Sequence, residues 1–497
     1  MSYLLGIDLG TSSVKCILAA EDGSTWTAAE REYPILTGNA GWSEQNPDDW
    51  WQMTVEAVQE LMARTDVKGR GIRAIGMSGQ MHGAVLLGER AQLLRPAIIW
   101  PDQRSSAQCQ QVYQQIGYER LAQITGSGVF PGFMLASLLW VQQNEAQCWH
   151  QLRQVLFPKD YVRYRLTDQL ATDITDASGG LLTDIRGRRW SDELLSELSI
   201  PVDILPRIFE SHEVAGQLTP EAAGAMGLKA GIPVVVGAAD QASGALGSGV
   251  VSPDTVAATI GTGGQLVTLL SSPRIDEQLR VHTFCHAVPH TWYLLGATLS
   301  AGLAFRWLRD SVLGEPQPDA YERMTALAGE VPRGAEGLLF LPYLVGERVV
   351  KDKAQTSGTF SGLSLRHDRS HLIRATMEGI IFSLRRVLDV FYELGVQPRQ
   401  IVATGGGARS VLWCQIMADT FQAPVTQLKV QEQSALGAVI LAGLGVGSYT
   451  DASEASHAFV TYGAPIEPEQ ASVAIYNDVY ESFDSLYRSV SSVWRSE

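Results

Sequence analysis

Two carboxylates stand where phosphate chemistry would need them. Asp8 lies in LLGIDLGTSSVKC, between an apolar run and a Gly-Thr-Ser-Ser turn. A carboxylate there either caps its own turn or reaches a hydrated Mg²⁺ that bridges polyphosphate oxygens. Gly10 admits close backbone approach, while Thr11, Ser12 and Ser13 offer hydroxyl and N–H donors to a phosphate. Asp240 follows VVVGAA and precedes QASGALG. Surrounded by small residues, it either caps a helix or faces a pocket that the missing side chains leave open. In phosphoryl transfer to an alcohol, an aspartate so placed orients the hydroxyl and accepts its proton as the P–O bond forms.

Other residues supply the surroundings such a reaction requires. GTGG at Gly261–Gly264 repeats the logic of the first turn, with Thr262 as a phosphate donor, and Gly405–Gly407 make a third glycine turn before Ala408 and Ser410. Three backbones held open by glycine suit a nucleotide; taken singly, each is an ordinary turn. Neither the Walker spacing nor the dinucleotide fingerprint is present. Lys15, next along the strand, reads as alternating outward. SGQMHG sets His82 among small residues, where an imidazole either serves the structure or meets a polyol hydroxyl, with Met81 as an apolar wall. IIWPDQR places Trp100, Asp102 and Arg104 together, as a substrate enclosure or as a surface ion pair.

The elements that position these residues follow from periodicity. Residues 3–9 read as a buried strand and VKCILAAEDG as a second, closing at Asp22-Gly23, with a third over 27–32. NPDDWWQMTVEAVQELMART opens on helix-capping residues and has helical spacing. IRAIGMSGQMHGAVLLG reads as a strand, a polar loop at Ser78–Gly83, and another strand. Asp8 and His82 therefore sit at strand ends, where open α/β sheets gather ligands. Residues 105–155 read as mostly helical, with LASLLWVQQNE the clearest piece. VAATIGTGGQLVTLL echoes YLLGIDLGTSSVKCILA, which predicts two related halves, 1–245 and 246–497, facing each other across a cleft. A long helix with its lead-in is expected through LSLRHDRSHLIRATMEGIIFSLRRVLDVFYELG, then strand, glycine turn and helix through QIVATGGGARSVLWCQIMADTF. GAVILAGLGVG is too short to cross a bilayer and reads as a buried helix, and another helix closes the chain.

Composition narrows the partners. The 497 residues carry a formal net charge of −15, which disfavours nucleic acid or an anionic membrane as the main partner. Five cysteines without a Cys-x-x-Cys pair suit a reducing, cytoplasmic setting, and no signal segment precedes the first strand. No H-E-x-x-H, nucleophile elbow or His/Cys cluster is present, so hydrolase and zinc chemistry lack their parts.

Taken together, GIDLGTSSVK, GQMHGAVLL, LLWVQQNE, Asp240, GTFSGLSLRHDRSHLIRATMEG, GGGARS and SALGAVILAGLGVG resemble the FGGY family of carbohydrate kinases over nearly the whole chain, in the branch that phosphorylates xylulose. The resemblance implies an α/β fold of two actin-like, ribonuclease H-like domains, the first holding sugar and the second ATP. It implies Asp8 at Mg²⁺, and Thr11, Ser12, Gly261, Thr262 and Gly263 at phosphate. Gly406, Gly407 and Ala408 would approach adenosine, and Asp240 would be the base. Met81, His82, Trp100, Asp102, Arg104, Asp240 and Gln241 would surround the ketose. The expected partners are a small ketose or polyol with ATP and Mg²⁺, and a homodimer is compatible with the pattern.

This chain departs from that branch at Pro101 and Gln241, where Asn is usual, and at Ser137, where Lys is usual. It departs again in Gly346-Glu347-Arg348-Val349-Val350, where a Thr-Pro pair usually ends the motif. The changes gather on the sugar side, so a kinase for another ketose or a sugar alcohol stays open. An actin-like nucleotide switch and an inactive kinase stay open as well.

Overall fold

The computed structural model describes residues 2–65, 67, 71–346, 356–430 and 432–491. The apolar run at the start forms β1 (Tyr3–Leu9), which returns antiparallel as β2 (Ser13–Ala20) and β3 (Trp26–Glu32). Asn46, Pro47 and two aspartates in the first turn start α1 (Pro47–Arg64), as the capping pattern predicts. β4 (Ile72–Gly79) then lies parallel to β1.

Further along come α2 (Pro158–Thr167), the short α3 (Ile174–Gly179), β5 (Val214–Gln217), β6 (Pro233–Val235), β7 (Ala238–Ala239) and α4 (Asp240–Gly247). The strands make one sheet in the order β5-β6-β4-β1-β2-β3, with β7 pairing the end of β4. Ser78 and Gly79 thus belong to β4 rather than to the loop expected from Ser78 onward, because Asp8 and Leu9 pair them on one side and Ala238 and Ala239 on the other.

The second half repeats the plan. β8 (Thr255–Ile260) and β9 (Gly264–Leu270) form a hairpin, and β10 (His282–Cys285) and β11 (Trp292–Thr298) extend it. After α5 (Arg369–Glu393), β12 (Gln400–Thr404) lies parallel to β8. There follow α6 (Val411–Phe421), β13 (Val425–Gln427), α7 (Gln433–Gly445) and the closing α8 (Gln470–Ser491). The sheet order is β10-β11-β9-β8-β12-β13. In both sheets a hairpin has an antiparallel strand outside its second member and a parallel strand beside its first. The echo between the two Gly-Thr turns is therefore a repeated topology.

Chain order and packing part company at α7. It follows the second sheet in sequence, yet it packs on β1 and β4 of the first and against α4. Gly6 and Gly76 permit this, since a Cβ on either would strike the backbone oxygens of Ala435 and Ala438. Gly437 in turn lets α7 meet the backbone at Ser243 of α4. The run GAVILAGLGVG is small and apolar because it is a helix closely covered on several sides. No helix among the described residues is long and apolar enough to cross a membrane.

Candidate active site

The first turn joins β1 to β2 through the Gly10 N–H, which donates to the Ser13 carbonyl at 2.9 Å. Asp8 stands one residue before the end of β1, opposite Lys15 on one side and Ser78 on the other. Its Oδ1 is buried without a protein hydrogen bond. Burial raises the carboxyl to about 6 although the neighbouring Ser78 hydroxyl and Lys15 pull the other way. Lys15 is itself held by Glu432 at 2.5 Å, ahead of α7.

Asp240 opens α4 directly after the β7 strand. Its carboxyl is raised to about 7, first by burial and then by the negative charge of Asp8, while the backbone and side-chain amides of Gln241 hold it down. The Gln241 amide, one methylene longer than the usual Asn, thus still serves the carboxylate. Ser434 at the start of α7 donates to the Asp240 carbonyl at 3.1 Å. The two carboxylates singled out in the sequence are therefore near enough for the charge of Asp8 to act on Asp240. Two buried carboxylates, Asp240 raised by the charge of Asp8 and Asp8 carrying an unpartnered buried oxygen, fit a divalent cation, which Asp8 would hold.

His82 has a left-handed backbone, φ 73°, an uncommon conformation for a side-chain-bearing residue. Its Nδ1–H donates to the Gly179 carbonyl at 2.7 Å, and its ring stacks on Phe133 with centroids 3.6 Å apart. Met81 is buried behind it against Gly179. Phe284 of β10 lies 6.3 Å from the His82 ring, so the second half contributes to the wall around this histidine. Trp100 is exposed and its indole N–H donates to the Thr11 hydroxyl at 2.9 Å, joining the expected sugar side to the first phosphate turn. Ser12 is exposed on the same turn.

Asp102 and Arg104 correct the sequence expectation. They are turned into the protein: Asp102 accepts from Ser43 N–H at 2.6 Å and holds the Arg104 guanidinium in a fork at 2.7–3.0 Å. Arg104 also pairs with Glu44 and stacks over Trp42, 3.6 Å from its ring centroid. Both side chains are almost wholly buried. They brace the loop that carries Trp100 and do not wall the cleft. Pro101 continues this loop and its carbonyl accepts from the Gln103 amide. Ser137 is buried in the helix Met134–Asn144. Glu347, Arg348, Val349 and Val350 lie outside the described residues.

In the second half, Gly261, Thr262, Gly406 and Gly407 line one cavity of about 830 Å³, a volume that accepts a nucleoside with its phosphates. Gly263 and Ala408 do not line it. Gly263 packs against the Thr298 carbonyl, and the Ala408 carbonyl accepts from Gln427 at 2.6 Å, so both back the lining turns. Gly405 has φ 80° and passes close to the Ile260 carbonyl, which only glycine allows without strain. Phe305, Tyr321 and Trp413 complete the apolar wall. Sequence reasoning did not find them, since they come from three separate segments without a shared motif.

Sequence reasoning also missed a wholly buried ion cluster beneath the site. Lys159 of α2 touches Asp160 at 2.7 Å, Asp173 at 2.9 Å and Asp176 at 3.0 Å. Its one sequence signal is the lysine-aspartate pair in an otherwise apolar context.

Comparison with known proteins matches this architecture to the N-terminal domain of the FGGY family of carbohydrate kinases over residues 3–247 and to its C-terminal domain over residues 256–446. A xylulose kinase from Bacillus subtilis is 37% identical over 98% of this chain and 97% of its own. A gluconokinase from the same organism is 31% identical over 88% of this chain and 87% of its own. The crystal structure of a xylulose kinase from Rhodospirillum rubrum superposes with a TM-score of 0.93 at 31% identity, covering 99% of this chain and all of that one. With both domain models matched in order along the chain, this protein belongs to the FGGY family of carbohydrate kinases.

Proposed function

We propose that this chain transfers the terminal phosphoryl group of ATP to the terminal hydroxyl of D-xylulose, releasing ADP and D-xylulose 5-phosphate. The observation that carries the reading is the pair Asp8 and Asp240, with the glycine-lined cavity in the second half and His82 in the first. In this scheme Asp240 orients the sugar hydroxyl and takes its proton as the oxygen bonds to phosphorus. A carboxyl near 7 suits that task, since it ionises around neutrality and is a better proton acceptor than an ordinary aspartate. Asp8 would hold Mg²⁺, which would supply charge neutralisation when bound. Thr11 and Ser12 from the first turn, and Thr262 with its flanking glycines from the second, donate to the phosphates.

The sugar side consists of Met81, His82 and Trp100, with Gln241 fixing the base. The halves divide at residues 245 and 246, the first for sugar and the second for nucleotide. None of the five cysteines forms a disulfide, which accords with a cytoplasmic setting.

Kinship with both a xylulose kinase and a gluconokinase makes the acceptor the point to test. ADP release is measured with D-xylulose, D-ribulose, gluconate, glycerol and xylitol. D-Xylulose is expected to give the highest kcat/KM; a tenfold preference for another acceptor would replace the substrate, and that requires only about 1.4 kcal/mol.

A further inference from the structure

The short helix α3 touches both groups on the sugar side without itself facing the cleft. Its last residue, Gly179, accepts the Nδ1–H of His82 at 2.7 Å. In its first turn, the Thr175 hydroxyl accepts the backbone N–H of Ala239 at 2.8 Å, and Ala239 is the residue before Asp240. That hydroxyl donates its own proton to Asp173 Oδ2 at 2.5 Å. Asp173 is fixed in turn by Ser211 Oγ at 2.8 Å and, through Oδ1, by Lys159 at 2.9 Å. Thr175, Asp173, Lys159 and Ser211 are all fully buried.

A buried hydroxyl must find partners, and the ones this threonine has lie on two separate structures. Here the hydroxyl links the buried ions directly to the strand leading into Asp240, while Ser211 ties Asp173 to Gly237 just before it. No side chain caps the start of α4, and the Thr175 hydroxyl holds the backbone one residue before it.

We infer that Thr175 is a positioning residue for phosphoryl transfer: through the Ala239 amide it holds Asp240 in register with His82, on a frame anchored by Asp173 and Lys159. The inference rests on the kinase reading above. Nothing in it requires Thr175 to touch substrate. Its loss should therefore reduce turnover while sparing the binding of both substrates.

Thr175→Val removes the hydroxyl at nearly constant volume, and Thr175→Ser restores it. A base displaced by a fraction of an ångström loses about tenfold to a hundredfold in rate. We expect that loss in kcat for Thr175→Val, with the KM for the sugar and the Kd for ATP within about threefold of the wild-type values. Thr175→Ser should recover most of the turnover. In parallel, amide exchange at Ala239 should accelerate in Thr175→Val and regain protection in Thr175→Ser.

Unchanged turnover in Thr175→Val overturns the inference, as does a Thr175→Ser variant as impaired as the valine. Loss of ATP binding in step with kcat does so too, because it marks general damage. Should the valine variant melt below the assay temperature, Thr175→Ala is judged by the same criteria. If the wild-type enzyme phosphorylates no sugar, the kinase reading fails. The Ala239 exchange then decides the positioning alone, with unaltered exchange refuting it.

Discussion

On the proposed mechanism, the protonation balance of Asp240 serves chemistry at some expense to the fold. Its carboxyl sits near 7 against an ordinary 3.8, because burial and the charge of Asp8 both oppose ionisation. Between about pH 4 and pH 7 the folded protein keeps a proton that the unfolded chain has released, so stability falls as pH rises through that window. Above it, the folded state carries the whole cost of the charge. Asp240→Asn should therefore melt higher than wild type at pH 8, by on the order of 1–3 kcal/mol, with the gap closing toward pH 4. The same variant should lose about 10²–10⁴ in turnover with ATP affinity retained. Calorimetry across pH and a nucleotide titration check the two halves; a variant less stable at pH 8, or one that has lost ATP, would assign the carboxylate a structural role. Asp8 and Asp240 were legible in the sequence because each ends an apolar run among residues too small to cover it. Asp102 and Arg104 were misread because their burial depends on Trp42 and Trp140, which lie far away in the chain. Lys159 was unreadable for a related reason: its partners Asp173 and Asp176 meet it only once α2 and α3 have packed.

At the scale of elements, local pattern located most of the fold and failed where contact between elements decides. The capped start of α1, the two Gly-Thr hairpins, the helix Met134–Asn144 and the long α5 all stand where spacing put them. What spacing cannot carry is the place where α7 docks. Its small residues announce burial but not the partner, and the partner proves to be the sheet of the other half. The complementary signal was present at Gly6 and Gly76, glycines inside buried strands, since glycine in a strand marks close backbone approach. Gly76→Ala should thus act as an overpacking mutation, costing about 1–3 kcal/mol as α7 is pushed from β1 and β4. Gly38→Ala, where no atom lies within 4 Å of the added methyl, is the control and should leave the melting temperature unchanged. If both variants melt alike, the tight seat of α7 on the first sheet is not what holds it.

For the molecule as a whole, α7 seats the second half on the first sheet, and two further lines of hydrogen bonds join the halves beside the site. One line is α4 on α7, where Ser434 binds the Asp240 carbonyl and Ser243 donates to the Ser434 carbonyl at 2.8 Å. The other runs from the first half to the second sheet: Ser178 accepts from the Cys285 N–H at 3.1 Å, and Trp292 donates to the Ile185 carbonyl at 2.8 Å. Both lines pass beside sugar-side residues, while the nucleotide cavity is lined by second-half residues alone. We predict that the phosphate chain reaches Asp8 and the Gly10 turn by rotation of the halves, a hinge motion of the kind that kinases use to exclude water. On the proposed division, sugar and adenosine bind opposite halves, so closure should be driven most strongly by both together. Small-angle scattering should accordingly show contraction with D-xylulose and a non-hydrolysable ATP analogue together, and little with either alone. ATP hydrolysis without sugar should be slow for the same reason. A profile indifferent to both ligands, or full compaction with nucleotide alone, would mean that the cleft is preassembled and that water is excluded by local side chains instead.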